Sequence, residues 1–235
     1  MSLTGTPTNI EEFIDHYEKG RCNEVRGMMG QEIGEIPRGI HILDVGCGIG
    51  NSLFALYANG FRDIYGLDIE RQLVEYARKN VPNANLVVAD AEHIPFSSRT
   101  FDCVVCYDLL EHVLKPEKVL GEISRVLKEG HTLYMVVANG YSINDIVFRW
   151  GGRILRGRSS HVQKFSKQHI ENLLKSNSFQ ISKAYEIKEC TLAALPIVAK
   201  IPFHKYLRQR VARKMGKYMS YGWEFKAVKH AVSKL

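Results

Sequence analysis

The chain has 235 residues, 45% of them hydrophobic and 24% charged, and a formal net charge of +7, an ordinary globular composition that suits one well-buried α/β domain with some elaboration. Five cysteines, an odd number, do not make a disulfide framework, and no N-terminal stretch has the build of a secretory signal. The longest nearly apolar run, residues 191–203, is too short and too broken by Pro196, Lys200 and Pro202 to cross a bilayer, so a soluble, cytoplasmic chain is expected.

The first predicted element is a helix over 8–20, with Thr8 and Glu11 as a capping box and Ile10, Phe13, Ile14 and Tyr17 on one face. A strand over 41–45 then carries Asp44 into a turn with glycines at 46, 48 and 50. Glycines there keep side chains away from a ligand and permit positive φ between strand and helix. Asn51 stands where a dinucleotide loop would have its last glycine, which weakens an NAD reading. There follow a helix over 51–59 closed by Gly60, a strand over 63–68, a helix over 70–79 and a strand over 85–89. A strand over 101–107, a helix over 116–128 and a strand over 132–138 complete the regular alternation, which predicts a parallel sheet wound with helices. Beyond Ala138 a Gly- and Arg-rich stretch, 151–160, precedes a helix over 166–175. Two late strands, near 179–187 and 224–229, flank a helical insertion.

Cys103 and Cys106 lie inside the strand pattern 101–107, and no second Cys-x-x-Cys pair completes a zinc site. They read as buried apolar thiols, and no metal is expected. The positive charge is uneven: Lys200, Lys205, Arg208, Arg210, Arg213, Lys214 and Lys217 stand without an acid between Thr191 and Trp223, and a second acid-free run extends from Arg149 to Lys167. The basic field belongs to the C-terminal part, outside the nucleotide-handling strands.

Acids at strand ends refine the reading, because ligands of open α/β sheets bind outside the carboxyl ends of the strands. Asp68 could accept hydrogen bonds from both hydroxyls of a ribose, and Asp90 from an adenine amino group. Each could equally be a helix N-cap. With Asp44 ahead of the glycines, three acids fall in register at successive strand ends.

The runs Asp44–Gly50, Gly66–Ile69, Asp90–Phe96, Phe101–Val105 and Leu110–Val113 together resemble the ordered motifs of class I S-adenosylmethionine-dependent methyltransferases, in the branch that includes quinone-biosynthesis and other small-molecule enzymes. Arg125–His131 is similar to that branch's R-V-L-K-P-G-G turn between helix and strand, departing at Glu129 and His131. The resemblance implies a Rossmann-like, doubly wound, mostly parallel seven-stranded sheet with a C-terminal antiparallel strand. It divides the chain into a helical cap (1–36), a cofactor-binding core (37–140) and a C-terminal half (141–235) on the substrate side.

S-adenosylmethionine is the implied cofactor. Gly46, Cys47, Gly48 and Gly50 would form the turn under its methionyl part, after Asp44. Asp68 would hold the ribose, Ile69 would lie against the adenine, and Asp90 and Ala91 would meet the adenine edge. Tyr107 would border the sulfonium, and Tyr17 and Arg21 would close over the carboxylate, although Tyr17 could equally belong to an amphipathic core helix. A sulfonium methyl is already electrophilic, so positioning dominates and is worth about 7–11 kcal/mol. A general base adds about 10²–10⁴-fold where the acceptor carries a proton. His112 and His161 are the candidates, each with a structural or substrate-contacting alternative. Tyr141 could orient an acceptor.

The acceptor is narrowed by two absences. Tyr107-Asp108-Leu109-Leu110 lacks the N/D-P-P-Y arrangement for methylating exocyclic base amines, and there is no Pro-Cys dipeptide for cytosine. Nucleic acid is therefore not the expected partner. From Pro202, apolar residues Phe203, Leu207, Val211, Met215 and Tyr218 recur at helical spacing beside Lys205, Arg208, Arg213 and Lys217. Segment 202–219 could rest on an anionic membrane, cover a lipid-like or phosphorylated substrate, or pack on the sheet with a solvated basic face. A small-molecule methyltransferase is the expectation; an RNA-directed enzyme and a non-catalytic cofactor-binding module are the alternatives.

Overall fold

The computed structural model describes residues 27–140, 162–187 and 222–230. Within them, β1 (Ile42–Val45), α2 (Asn51–Ala58), β2 (Ile64–Asp68), α3 (Arg71–Asn80), β3 (Asn85–Val88) and β4 (Phe101–Tyr107) follow a short first helix, α1 (Gly27–Glu32). After β4 come a single 3₁₀ turn (Leu110–His112), α4 (Pro116–Val126), β5 (Leu127–Ala138), α5 (Lys167–Ser176), β6 (Phe179–Ile187) and β7 (Gly222–Lys229). The expected leading helix over 8–20 and the helical insertion before β7 lie outside the described residues.

The strands form one seven-stranded sheet in the order β3-β2-β1-β4-β5-β7-β6. β1 pairs in parallel with both β2 and β4, so the strand order reverses between β1 and β4. β7 runs antiparallel to β5 and to β6. This is the doubly wound, Rossmann-like arrangement with one antiparallel strand near its C-terminal edge. Its crevice opens at the carboxyl ends of β1 and β4.

Alternation along the strands feeds two cores. On one face Leu43, Val45, Val104, Cys106, Leu133 and Met135 meet Leu120 and Ile123 of α4 and Ile170 and Leu174 of α5. On the other, Ile42, Ile64, Cys103, Val105 and Tyr134 meet Leu53 and Leu56 of α2 and Met28 and Met29 of α1. Central strands covered on both faces read as continuous apolar runs, which is why Ile42–Val45 is buried throughout. Pro116 starts α4, where its missing N–H costs no helical bond. The Ser166 hydroxyl caps α5 by accepting the His169 N–H at 3.2 Å.

Two features depart from the sequence pattern. α1 was not anticipated: it is six residues of weak signal, held at both ends by the sheet. Glu224 of β7 accepts the Met28 N–H at 2.5 Å, and Gly27 turns over that carboxylate so tightly that a Cβ would stand 1.9 Å from its oxygen. At the other end the Glu32 carboxylate takes the Tyr134 hydroxyl at 2.7 Å, Lys183 at 2.7 Å and Lys226. Those partners outweigh its burial and draw Glu32 down to about 2.

The second departure is at 125–131, expected as the end of a helix reaching 128 and a turn before a strand at 132. Instead α4 ends at Val126 and β5 begins at Leu127, with the ladder jumping from Phe101↔Leu127 to Cys103↔Thr132. Gly130 at φ +78° lets the strand bulge. Lys128 reaches Asp102 at 2.6 Å, and Arg99 reaches Glu129 at 2.5 Å, stitching the bulge to the neighbouring strand and loop.

Candidate functional site

The tight turn after β1 is built by its own backbone. Gly46, Gly48 and Gly50 have φ of +79°, +52° and +84°, values that side-chain-bearing residues adopt only under strain. The N–H groups of Gly46 and Cys47 both donate to the Leu67 carbonyl at 2.9 Å, which docks the turn on β2. A Cβ on Gly48 would meet no atom within 4 Å, so this glycine faces open space. Gly50 is different in kind: a Cβ there would stand 3.1 Å from Ala77, so it serves the packing of α2 against α3. Cys47 is buried in the second core, leaving its backbone to line the turn.

Asp68, at the end of β2, joins that turn to the crevice. Its Oδ2 accepts the Gly48 N–H and its Oδ1 the Glu70 N–H, both at 2.9 Å. Two oxygens offer about four acceptor directions, so capacity remains beyond these two bonds. The capping role and a ligand role coexist in one side chain. Next to it Ile69 is 64% exposed, an apolar surface at the mouth of the crevice. Asp44 is only 3% exposed; burial, then the charge of Asp68, push it up to about 7.

On the third strand end, Asp90 is exposed and its Oδ1 accepts the Glu92 N–H at 2.8 Å. This is the self-capping turn that Asp favours. The Ala91 side chain is buried in the first core, so only its backbone faces outward chemistry. The loop beyond is clamped by α4. Arg125 donates to the Ile94 and Phe96 carbonyls at 2.8 Å, while Glu122 accepts the Ile94 N–H at 2.8 Å and holds Arg125 through Nε at 2.7 Å and Nη2 at 2.8 Å. The hydrogen bonds from Arg125 hold the Glu122 carboxyl below its usual range. In the sequence Arg125 stands in the turn motif, and its spacing from Glu122 on one helix face is the local signal of the clamp.

Tyr107 closes β4 and lies in register with Val136 of β5 and, through it, Glu224 of β7. Burial and then the Glu224 charge push its hydroxyl well above the ordinary tyrosine range. His112 is exposed on the 3₁₀ turn just past the crevice. Tyr17, Arg21, Tyr141 and His161 lie outside the described residues, as does segment 202–219. Cys103 and Cys106 are buried free thiols in different cores, and burial pushes Cys103 up to about 12. Among the described residues no cluster of three His, Cys, Asp or Glu is placed to hold a metal ion, and no helix is long and apolar enough to cross a membrane.

The arrangement is therefore a crevice at a topological switch point, floored by a glycine turn with open space above Gly48 and edged by a carboxylate and an exposed isoleucine. These fit a nucleoside attached to a polar chain: donors and acceptors at one end, an apolar wall at the other.

Comparison with known proteins supports the same reading. Residues 43–135 match a family model described as a methyltransferase domain. The chain is 35% identical over 198 residues to the O-methyltransferase cnsE of Penicillium expansum, covering 80% of this chain and 70% of that one. It is 31% identical over 106 residues to a ubiquinone biosynthesis O-methyltransferase of Coxiella burnetii, covering 43% of this chain and 45% of that protein, so it spans less than half of that relative. In fold it is similar to a chain of the complex between the Haloferax volcanii Trm112 methyltransferase activator and a methyltransferase, with a TM-score of 0.68, 19% identity and coverage of 97% and 100%.

Proposed function

The chain belongs to the class I S-adenosylmethionine-dependent methyltransferases, and on that premise we propose that it methylates a small-molecule acceptor of lipid-like or anionic character. The observation that carries the reading is the Asp68 carboxylate tied to the Gly48 amide at the switch point, with free space above that glycine. When bound, S-adenosylmethionine supplies an electrophilic methyl group on a sulfonium.

The chain's own residues do the rest. In this reading Asp68 accepts from the ribose hydroxyls, Ile69 covers the adenine, and Asp90 with the Ala91 backbone meets its edge. The Gly46–Gly48 turn underlies the methionyl chain, Asp44 supplies negative charge beneath it, and Tyr107 borders the sulfonium as a neutral phenol. Tyr17 and Arg21 close the carboxylate end. Residues 37–140 form the cofactor side and 141–235 the acceptor side, where segment 202–219 covers the acceptor or meets an anionic membrane. His112 or His161 takes the proton when the acceptor is a hydroxyl. The remaining work is alignment of the acceptor and exclusion of water.

The test is methyl transfer from labelled S-adenosylmethionine into a cell extract, with the product partitioned between lipid and aqueous phases. Label in a small molecule in either phase, absent with Asp68→Ala, is expected. Label in RNA, or binding with no transfer, would overturn the reading.

Asp44 supplies a pH prediction. A carboxyl raised in the folded state contributes stability that is complete below its unfolded value near 4 and is lost as pH rises through about 7. A cationic ligand above it favours the ionised form. Binding of S-adenosylmethionine is therefore expected to tighten by about fivefold to tenfold between pH 6 and 8. Asp44→Asn should abolish that slope and raise the melting temperature of the free protein at pH 8. Calorimetric titration at the two pH values checks the first outcome, and thermal denaturation the second.

A further inference from the structure

Beyond the cofactor crevice, the carboxyl ends of β4 and β5 are crossed by residues 162–165. Val162 and Gln163 both donate their N–H to the Glu111 carbonyl, at 2.8 and 3.1 Å. The Gln163 side chain donates to the Leu114 carbonyl at 3.2 Å. Asn139 forms a parallel bridge with Phe165. A Cβ on Gly140 would stand 2.7 Å from the Lys164 Cα, so the two backbones are in contact. In the sheet order these strand ends lie on the opposite side of β1 from Asp68, and in sequence the strap follows directly on His161.

Its fastening point is Glu111. The residue is 1% exposed. Its Oε1 accepts the Ala138 N–H at the end of β5, at 3.1 Å, while its Oε2 is buried and takes no hydrogen bond among the described residues. One short turn thus touches three elements: β4 through the chain, β5 through the side chain, and the strap through the backbone carbonyl.

We propose that Glu111 is a positioning residue for the acceptor side, whose carboxyl pins the 110–112 turn to the end of β5 and thereby sets the strap 162–165 and the neighbouring His112 in place. The proposal rests on the small-molecule methyltransferase reading for what the strap faces. A buried carboxylate with an unpaired oxygen is costly as an anion and far less so as a neutral acid. Among its neighbours Asp108, three residues earlier, favours the neutral form through its charge, whereas the Ala138 N–H favours the ionised one; Cys106 is a buried thiol that feels the Glu111 charge. The end of β5, Ala138 to Gly140, carries no titratable side chain; Lys164 is the one cation on the strap, and His112 adjoins in the turn. Burial first, and Asp108 second, bring Glu111 up to about 7. Above that value the closed turn holds a buried charge beside Asp108; the Ala138 N–H offsets part of that cost, and opening the turn to solvent relieves the rest.

Hydrogen exchange tests this without knowledge of the acceptor. Protection factors of the Val162 and Gln163 amides, corrected for intrinsic rates, are compared at pH 6 and pH 8.5, with core amides of β4 as reference. Wild-type protection is expected to fall about tenfold across that range while the core holds. Glu111→Gln, a neutral isostere, should retain protection at pH 8.5, and Glu111→Ala should lack it at both pH values. Protection in the wild type that does not change with pH, or a Gln variant that loses it as the wild type does, would overturn the proposal. S-adenosylhomocysteine affinity, titrated on the same samples, separates the two readings. Unchanged affinity in both variants is expected, and a loss confined to them would show that Glu111 acts on the cofactor side instead. A wild-type protein that fails to bind while the strap still responds would count against the methyltransferase reading alone.

Discussion

Asp68→Ala is expected to weaken binding of S-adenosylmethionine and S-adenosylhomocysteine alike by about 10²–10³-fold, or roughly 3–4 kcal/mol. The size follows from the lost ribose contacts and from the loosening of the turn that Asp68 anchors. The carboxylate accepts the Gly48 and Glu70 N–H groups, and a charged acceptor is worth about 1.5–3 kcal/mol to each partner. Its remaining lone pairs are those assigned to the ribose hydroxyls. Without it the glycine turn also loses its tie to the end of β2, although its two bonds to the Leu67 carbonyl persist. Those bonds, and a site at the rim rather than in the core, keep the fold intact. Asp68→Asn, which preserves the shape and one acceptor, should fall between the two. Calorimetric titration with S-adenosylhomocysteine measures the effect; an alanine variant binding within threefold of the wild type would remove Asp68 from the cofactor site.

The second large effect is expected at a residue that touches no ligand. Arg125→Ala removes the guanidinium that holds the Ile94 and Phe96 carbonyls and pairs in a fork with Glu122. The loop 91–96, which follows Asp90, is then tied to α4 by the Ile94 N–H on Glu122 and, at the exposed surface, by Lys118 on His93 and Glu92. We expect a stability loss of about 2–4 kcal/mol from the orphaned carbonyls and the unpaired carboxylate, with cofactor binding weakened about tenfold through the displaced loop. Arg125→Lys keeps the charge but cannot reproduce the planar fork, so it should recover only a minor part of both. Urea denaturation at constant m-value gives the first quantity and titration gives the second. A shift in the midpoint with unchanged affinity would show that the clamp stabilises the fold without positioning the adenine side.

The sheet was largely legible in the chain because its central strands are apolar on both faces and each is followed by a turn of Gly, Asp or Pro. β4 and β6 fall where their patterns place them, and the helices over 51–59, 70–79 and 166–175 agree to within a residue or so at either end. The boundary between α4 and β5 was misplaced because Leu127 to His131 lacks strand periodicity. It is strand because Gly130 permits a bulge and because Lys128 and Glu129 find partners on Asp102 and Arg99. Nothing within Gly27–Glu32 marks a helix; Glu224, Tyr134 and Lys226, all more than a hundred residues away, hold α1.

The same division runs through the candidate site. Spacing alone put Asp44, Gly46, Gly48, Asp68 and Asp90 at successive strand ends, since a parallel sheet wound by right-handed crossovers delivers those ends to one edge. What each residue does there depends on neighbours that no local pattern names. Gly48 is open and Gly50 is filled because α3 approaches one and not the other. Asp44 and Glu111 hold protons near neutral pH because burial and a nearby acid act on them together. Composition and periodicity are properties of short windows and so fix the elements and their order. Burial, charge proximity and hydrogen-bond partnership are properties of distances between remote segments, and only the folded chain sets those.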